Sequence, residues 1–266
     1  MTAAPTRPTT SGPSPPGAHA HAASAAALEA EHLGKRYGAR EAVADVSFTV
    51  GRGEVFGFLG PNGAGKTTTI RMLVGLVRPT TGRVRVAGHD VVARREDALR
   101  RLGCIVESPD FYEFLTGREN LQHFARMIDG AALDRVDELA ELVRVRERLG
   151  DRVATYSLGM RQRLGIAQAL LGGPDVLVLD EPANGLDPAG LHELRLLLRR
   201  LADERGLAVF VSSHLLGEVE RVCDRIAIVH RGRTLAEGSI AALTEQGRRP
   251  LESVFLDVTH GETVGG

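Results

Sequence analysis

Residues 60–69 read GPNGAGKTTT, in which Gly60, Gly65, Lys66 and Thr67 fit the pattern G-x-x-x-x-G-K-[ST]. Glycines at this spacing let backbone N–H groups turn inward toward phosphate oxygens, at the start of a helix whose dipole also favours an anion. The lysine supplies a point charge for the β- and γ-phosphates, and the Thr67 hydroxyl a ligand for Mg²⁺. Lysine occurs only here and at Lys35, all other basic residues in the chain's Lys and Arg total being arginine. That scarcity singles out the loop lysine. A second stretch, VLVLDEP, completes the chemistry. Val176 to Leu179 suit a central buried strand, so Asp180 emerges at its carboxyl end, where open α/β sheets bind ligands. A carboxylate there can hold Mg²⁺ directly or through its waters. Glu181, the next residue, cannot duplicate that geometry and is free to accept a proton from an attacking water. The pair of motifs points to hydrolysis of a nucleoside triphosphate. Guanine specificity has no support, because neither lysine is preceded by the asparagine of an Asn-Lys-x-Asp base reader.

The elements that must position these residues follow from periodicity. VSFTV (Val46 to Val50) alternates as a half-buried strand, and EVFGFLG reads as a more deeply buried one. KTTTIRMLVGLV has helical spacing up to Arg78-Pro79, and GRVRVAG suggests another strand. Thr116 followed by Glu119 predicts a capping box opening a helix through about Ile128. Further helices are expected near Ala132 to Val145 and from SLGMRQRLGIAQALL. After strand DVLVLD, Asp187 is a good N-cap and Pro188 a good first helical residue. Strand LAVFVSS, a short helix from about Leu215, strand RIAIVH, a turn at Arg231-Gly232-Arg233 and a final helix close the pattern. Strands alternating with helices imply an α/β fold with a mostly parallel sheet. The helices between about residues 108 and 165 interrupt the alternation as an inserted helical subdomain.

Bulk composition sets the outer limits. At 266 residues the chain fits one large domain, or one with a subdomain. A formal charge of −1 gives no reason to expect a phosphate backbone as partner. Residues 1–27 carry five of the twelve prolines together with Thr, Ser, Gly and Ala, and are expected to form a disordered tail in which His19 and His21 make a poor metal site. Residues 246–266 form a short C-terminal extension. Cys104 and Cys223 sit among apolar residues and are expected to be buried, unpaired thiols. No apolar run approaches the ~20 residues needed to cross a bilayer.

YSLGMRQR, Tyr156 to Arg163, lies just before the strand that ends at Asp180. It resembles the signature motif of ATP-binding-cassette (ABC) ATPases, with L-S-G-G-Q written Y-S-L-G-M. The resemblance spans about residues 28–245 and rests on six ordered motifs. It implies a P-loop NTPase fold with antiparallel β elements near the N-terminus. It also implies that Gly60, Pro61, Asn62, Gly63, Ala64, Gly65, Lys66, Thr67 and Thr68 hold ATP, that Tyr37 stacks on adenine, and that His214 senses the γ-phosphate. ANGLDP, containing Asp187, is similar to the loop that connects opposed active sites. Ser157 can donate a hydroxyl to an anion and Gly159 allows close approach at a helix N-terminus. In the family this corner contacts ATP held by a second subunit, so two nucleotides are sandwiched in a head-to-tail homodimer.

Two departures from the family pattern stand out. Leu158 and Met160 replace Gly and Gln in the signature, and Glu107 stands where the family usually has Gln, a residue that contacts metal and water. The extra charge is tolerable beside phosphates chiefly because Mg²⁺ dominates the local field. IVESPDFY and YSLGM are similar to the subset serving export of, or self-protection against, bacitracin- and lantibiotic-type peptides. The expected protein is thus an ATP- and Mg²⁺-dependent ATPase, peripheral on the cytoplasmic face of the membrane through a separate transmembrane permease, with no nucleic-acid partner. Phe111, Tyr112 and Phe114 are candidate permease contacts or buried packing. The alternative is an ATPase of this type acting on ribosomes or nucleic acid, against which stand one cassette, no sustained heptads and no basic run.

Overall fold

The computed structural model describes residues 26–128 and 132–261. In chain order the elements are β1 (Leu28–Tyr37), β2 (Arg40–Val50), β3 (Val55–Leu59), α1 (Lys66–Leu73), β4 (Thr81–Val86), β5 (His89–Asp90), α2 (Arg95–Leu99) and β6 (Leu102–Ile105). Helices α3 (Gly117–Met127) and α4 (Val136–Leu142), two short 3₁₀ turns and α5 (Leu158–Leu170) follow. The chain continues through β7 (Val176–Leu179), α6 (Pro188–Arg205), β8 (Ala208–Ser213), α7 (Leu216–Val222), β9 (Arg225–His230), β10 (Arg233–Ser239), α8 (Ile240–Leu243) and α9 (Leu251–Gly261).

One sheet runs in the order β5-β4-β1-β2-β10-β9-β3-β8-β7-β6. Its β9-β3-β8-β7-β6 portion is wholly parallel, while β1, β2, β4 and β5 pair antiparallel at the other end. The central parallel strands are buried on both faces, every residue of β3, β7 and β8 being buried. Between the antiparallel and parallel parts, Phe48, Phe56, Phe58 and Phe210 pack ring against ring with centroids 5.3–6.2 Å apart. Gly57 lies against α7 and β9, where an added Cβ would stand 2.8 Å from a Val219 methyl. The mostly parallel α/β fold with an antiparallel N-terminal region and helices inserted between β6 and β7 is the expected one.

Several local expectations change. The tail expected over residues 1–27 lies outside the described residues for 1–25, while Ala27 is buried and its backbone bonds both Val50 and Ala87. Helix α1 stops at Leu73 rather than running to Arg78, because Gly75 takes φ +69° and turns the chain out of the helix. The stretch expected as a helix from Ala132 to Val145 keeps only Val136–Leu142 as α-helix. The capping box at Thr116 and Glu119 forms. Cys104 is exposed rather than buried, because β6 is the edge strand and presents this side chain outward, whereas Cys223 is partly buried. Strand β10 follows the Arg231-Gly232 turn, both residues at positive φ, as hairpin turns of this kind require.

Candidate functional site

At the carboxyl ends of β3, β7 and β8 opens a cavity of about 940 Å³. The loop after β3 forms one wall. Gly60 is needed there because an added Cβ would stand 2.5 Å from the Val229 carbonyl oxygen, and Gly65 takes φ +102°, so the chain turns directly into α1. Pro61, Asn62, Gly63, Gly65, Lys66, Thr67 and Thr68 line the cavity, with Gly60 and buried Ala64 behind them. Lys66 is 7% exposed, and its Nζ donates to the Gly60 carbonyl at 2.7 Å. The same ammonium stands 3.4 Å from Glu181 Oε1.

The opposite wall is carboxylic. Asp180 is buried at the end of β7 and accepts a 2.6 Å hydrogen bond from Ser212 Oγ. Burial pushes its pKa up, as do the charges of Glu181 and Glu107, against the Ser212 hydrogen bond and the Lys66 charge. Glu181 adopts φ +47°, which turns its side chain away from Asp180 toward β8. There its Oε2 lies 2.8 Å from His214 Nδ1 and accepts the His214 backbone N–H at 3.3 Å. Lys66, Glu181 and His214 thus form one contact chain, and all three line the cavity with Asp180 and Thr67. Glu107 also lines it, at φ +70°, with its carboxylate 2.8 Å from an Arg71 guanidinium nitrogen.

Four sequence-predicted residues stand apart from this cluster. Ser157, Gly159 and Asp187 line a separate surface cavity of about 320 Å³, between the start of α5 and the start of α6. Ser157 caps α5 by accepting from the Met160 N–H, and Asp187 caps α6 by accepting from the Gly190 N–H at 2.9 Å. Tyr37 is exposed at the end of β1, with the Lys35 ammonium 5.0 Å from its ring centre, and does not line the larger cavity. The mouth on that side is formed by Arg40, Glu41, Ala42 and Arg231, none of which the sequence singled out. Gly65 and Gly232 both press against the Ala42 region, and a Cβ added at Gly65 would stand 2.8 Å from the Ala42 carbonyl oxygen.

Beside the larger cavity, a groove of about 470 Å³ is lined by Cys104, Pro109, Phe111, Tyr112, Phe124 and Gly165 among others. Phe111 packs edge-on to Phe124 and is partly buried, while Tyr112 and Phe114 are exposed. Desolvation pushes the Cys104 thiol pKa up, and does so more strongly for Cys223.

The donors at the larger cavity fit a magnesium ion. Among the described residues no three His, Cys, Asp or Glu side chains cluster closely enough to hold a metal by themselves. A hydroxyl and one or two carboxylates opening onto a cradle of backbone N–H groups is the incomplete set that Mg²⁺ accepts when phosphate oxygens supply the rest.

Among the described residues no helix is long and apolar enough to cross a membrane. The family model described as ABC transporter matches residues 43–184. YhcH, an uncharacterized ABC transporter ATP-binding protein of Bacillus subtilis, is 54% identical over 208 residues, 78% of this chain and 68% of its own length. The bacitracin transport ATP-binding protein BcrA of Bacillus licheniformis is 45% identical over 230 residues, 86% of this chain and 75% of its own. A solved structure of the ATP-binding subunit of an ABC transporter aligns with TM-score 0.75 at 32% identity, covering 87% of this chain and 98% of that one. Kinship of this extent, on a fold that gathers the loop lysine and both carboxylates at one cavity, places the chain in the ABC transporter family as an ATP-binding subunit that hydrolyses ATP.

Proposed function

We propose that this subunit drives export of a peptide antibiotic or a similar drug-like compound through a separate transmembrane permease, by closing against a second copy of itself around two ATP molecules. The observation that carries the reading is the division of the predicted residues between two surfaces. Lys66, Thr67, Asp180, Glu181 and His214 share one cavity, while Ser157, Gly159 and Asp187 line another and are left free for a partner's nucleotide. The 45% identity to a bacitracin transport protein, together with IVESPDFY and YSLGM, supports the peptide class.

In this reading the backbone of residues 60–68 and the Lys66 ammonium hold the β- and γ-phosphates, and Tyr37 meets the adenine at the rim. Thr67 and Asp180, with Glu107 nearby, would hold Mg²⁺, which when bound offsets phosphate charge. Glu181 accepts the proton of the attacking water. His214, already against Glu181, fixes that carboxylate and meets the γ-phosphate. Ser157 and Gly159 contribute contacts from the partner only while the γ-phosphate is present, and its loss reopens the pair. The groove with Phe111, Tyr112 and exposed Phe114 is the face offered to the permease.

The test is Glu181→Gln in the purified subunit. ATP binding within a few-fold of wild type with turnover lost supports the assignment, and unchanged steady-state hydrolysis removes Glu181 as the base. For the substrate, co-expression with its transmembrane permease should protect cells from bacitracin-type peptides in a Glu181-dependent way. Protection that survives Glu181→Gln contradicts the export reading.

A further inference from the structure

Strand β8 ends in two serines with different work. Ser213 Oγ accepts the Leu215 N–H at 2.9 Å and shapes the turn into α7. Ser212, fully buried, makes two bonds that meet at the catalytic pair. Val211 pairs with Leu179 in the parallel ladder, so Ser212 stands level with Asp180 on the neighbouring strand. Its Oγ donates to Asp180 Oδ1 at 2.6 Å and accepts the Glu181 N–H at 2.9 Å.

We propose that Ser212 is a positioning residue for ATP hydrolysis: its single hydroxyl, donating to the Asp180 carboxylate and accepting the Glu181 N–H, sets the spacing and divergence of the two acids. This rests on the assignment of Asp180 and Glu181 given above. A hydroxyl has one proton and two lone pairs, so it can serve both neighbours at once in one fixed direction. An apolar residue here would leave the Glu181 N–H without that partner and Asp180 with one donor fewer. The backbone has a reason to need the clasp. Glu181 is held at φ +47°, a conformation that non-glycine residues adopt only when the surroundings enforce it. The Ser212 bond to its N–H is an enforcing contact from the adjacent strand, and the contact of its carboxylate with His214 is another. Without the hydroxyl, Glu181 can relax toward negative φ and carry its carboxylate away from Lys66 and His214.

Three variants read the hydroxyl. Ser212→Ala removes it, Ser212→Cys keeps nearly the same volume with only a weak donor, and Ser212→Thr keeps it. Each is checked for fold by circular dichroism, then measured for kcat, for KM and for equilibrium ATP affinity in Mg²⁺ and in EDTA. Loss of a partner that orients active groups lowers activity about 10- to 100-fold. The expected result is a kcat reduced to that extent in the Ala and Cys variants, with ATP affinity in EDTA unchanged, and most of the rate restored by Thr. Wild-type kcat in a folded Ala or Cys variant overturns the proposal. So does a folded Thr variant as slow as Ala, or a loss of kcat matched by an equal loss of affinity in EDTA, which would assign Ser212 to the fold alone. Should Ala or Thr not fold, the near-isosteric Cys variant decides against wild type. Glu181→Gln, run alongside, separates the two claims. Full turnover there sinks the base assignment itself, whereas a dead Glu181→Gln beside a fast Ser212→Ala removes only the positioning role.

Discussion

Lys66→Ala is the perturbation whose effect can be worked furthest from the geometry. The ammonium is nearly enclosed, donates to Gly60 O at 2.7 Å and sits 3.4 Å from Glu181 Oε1. Of its three N–H donors, one bonds Gly60 O and a second makes a longer 3.5 Å bond to Pro61 O, which leaves one for phosphate oxygens. Hydrogen bonds to charged groups are worth about 1.5–3 kcal/mol each. Solvent and the neighbouring backbone N–H groups recover part of any loss, so the net cost is close to one such bond. At about 1.4 kcal/mol per factor of ten, ATP binding should weaken roughly 10- to 150-fold. A second effect falls on the nucleotide-free protein, where Glu181 loses its Lys66 neighbour and keeps His214 as its side-chain partner. The variant should therefore melt at a lower temperature without nucleotide and gain less from added ATP. Titration calorimetry in EDTA measures the affinity without the metal, and differential scanning calorimetry the melting. An affinity within twofold of wild type would refute the claim that Lys66 faces the phosphates.

Other outcomes follow from local geometry. Replacing Thr116 by Ala removes the N-cap hydroxyl of α3, which should cost about 0.5–2 kcal/mol by denaturant unfolding. Hydrogen bonds from the Thr116 backbone and hydroxyl hold the Glu119 pKa below its ordinary value, so that contribution is present above the carboxylate range and fades as pH falls through the lowered value. The variant keeps the backbone bond and loses only the hydroxyl's share, so the stability gap should narrow slightly in acid, and a gap independent of pH would contradict the Thr116 hydroxyl–Glu119 bond. Of the two thiols, Cys104 should react with iodoacetamide in the native protein and Cys223 only on unfolding. Because burial raises both pKa values, the Cys104 rate should keep climbing above the pH where a free cysteine levels off. Preferential labelling of Cys223 in the folded protein would contradict the edge position of β6.

What was legible in the chain is what local chemistry dictates. A glycine loop before a lysine, a carboxylate after four apolar residues, and Asp187-Pro188 or Thr116 with Glu119 at helix starts each carry their reason within a few residues. The structure forms the loop and all three of these helix caps or strand ends where expected. The illegible parts depend on distant neighbours. Strand β6, a short run containing Gly103, becomes a strand by pairing with β7, and β10, which lacks clean alternation, by pairing with β9. Arg40, Glu41 and Arg231 reach the cavity because two turns remote in sequence fold against the loop at Gly65. Ser212 looked like one of two serines that end an otherwise apolar strand. Its partners lie 31 and 32 positions away, beyond the reach of any pattern.

The central claim is that each subunit's Ser157–Gly159 corner grips the nucleotide held by its twin. The most direct measurement is the solution mass of Glu181→Gln by analytical ultracentrifugation, in Mg-ATP and in Mg-ADP, with and without Ser157→Arg. The account predicts twice the monomer mass in Mg-ATP alone, and monomer in Mg-ADP or once Ser157→Arg is added. A monomer in saturating Mg-ATP, or a dimer that ignores Ser157→Arg, would contradict it.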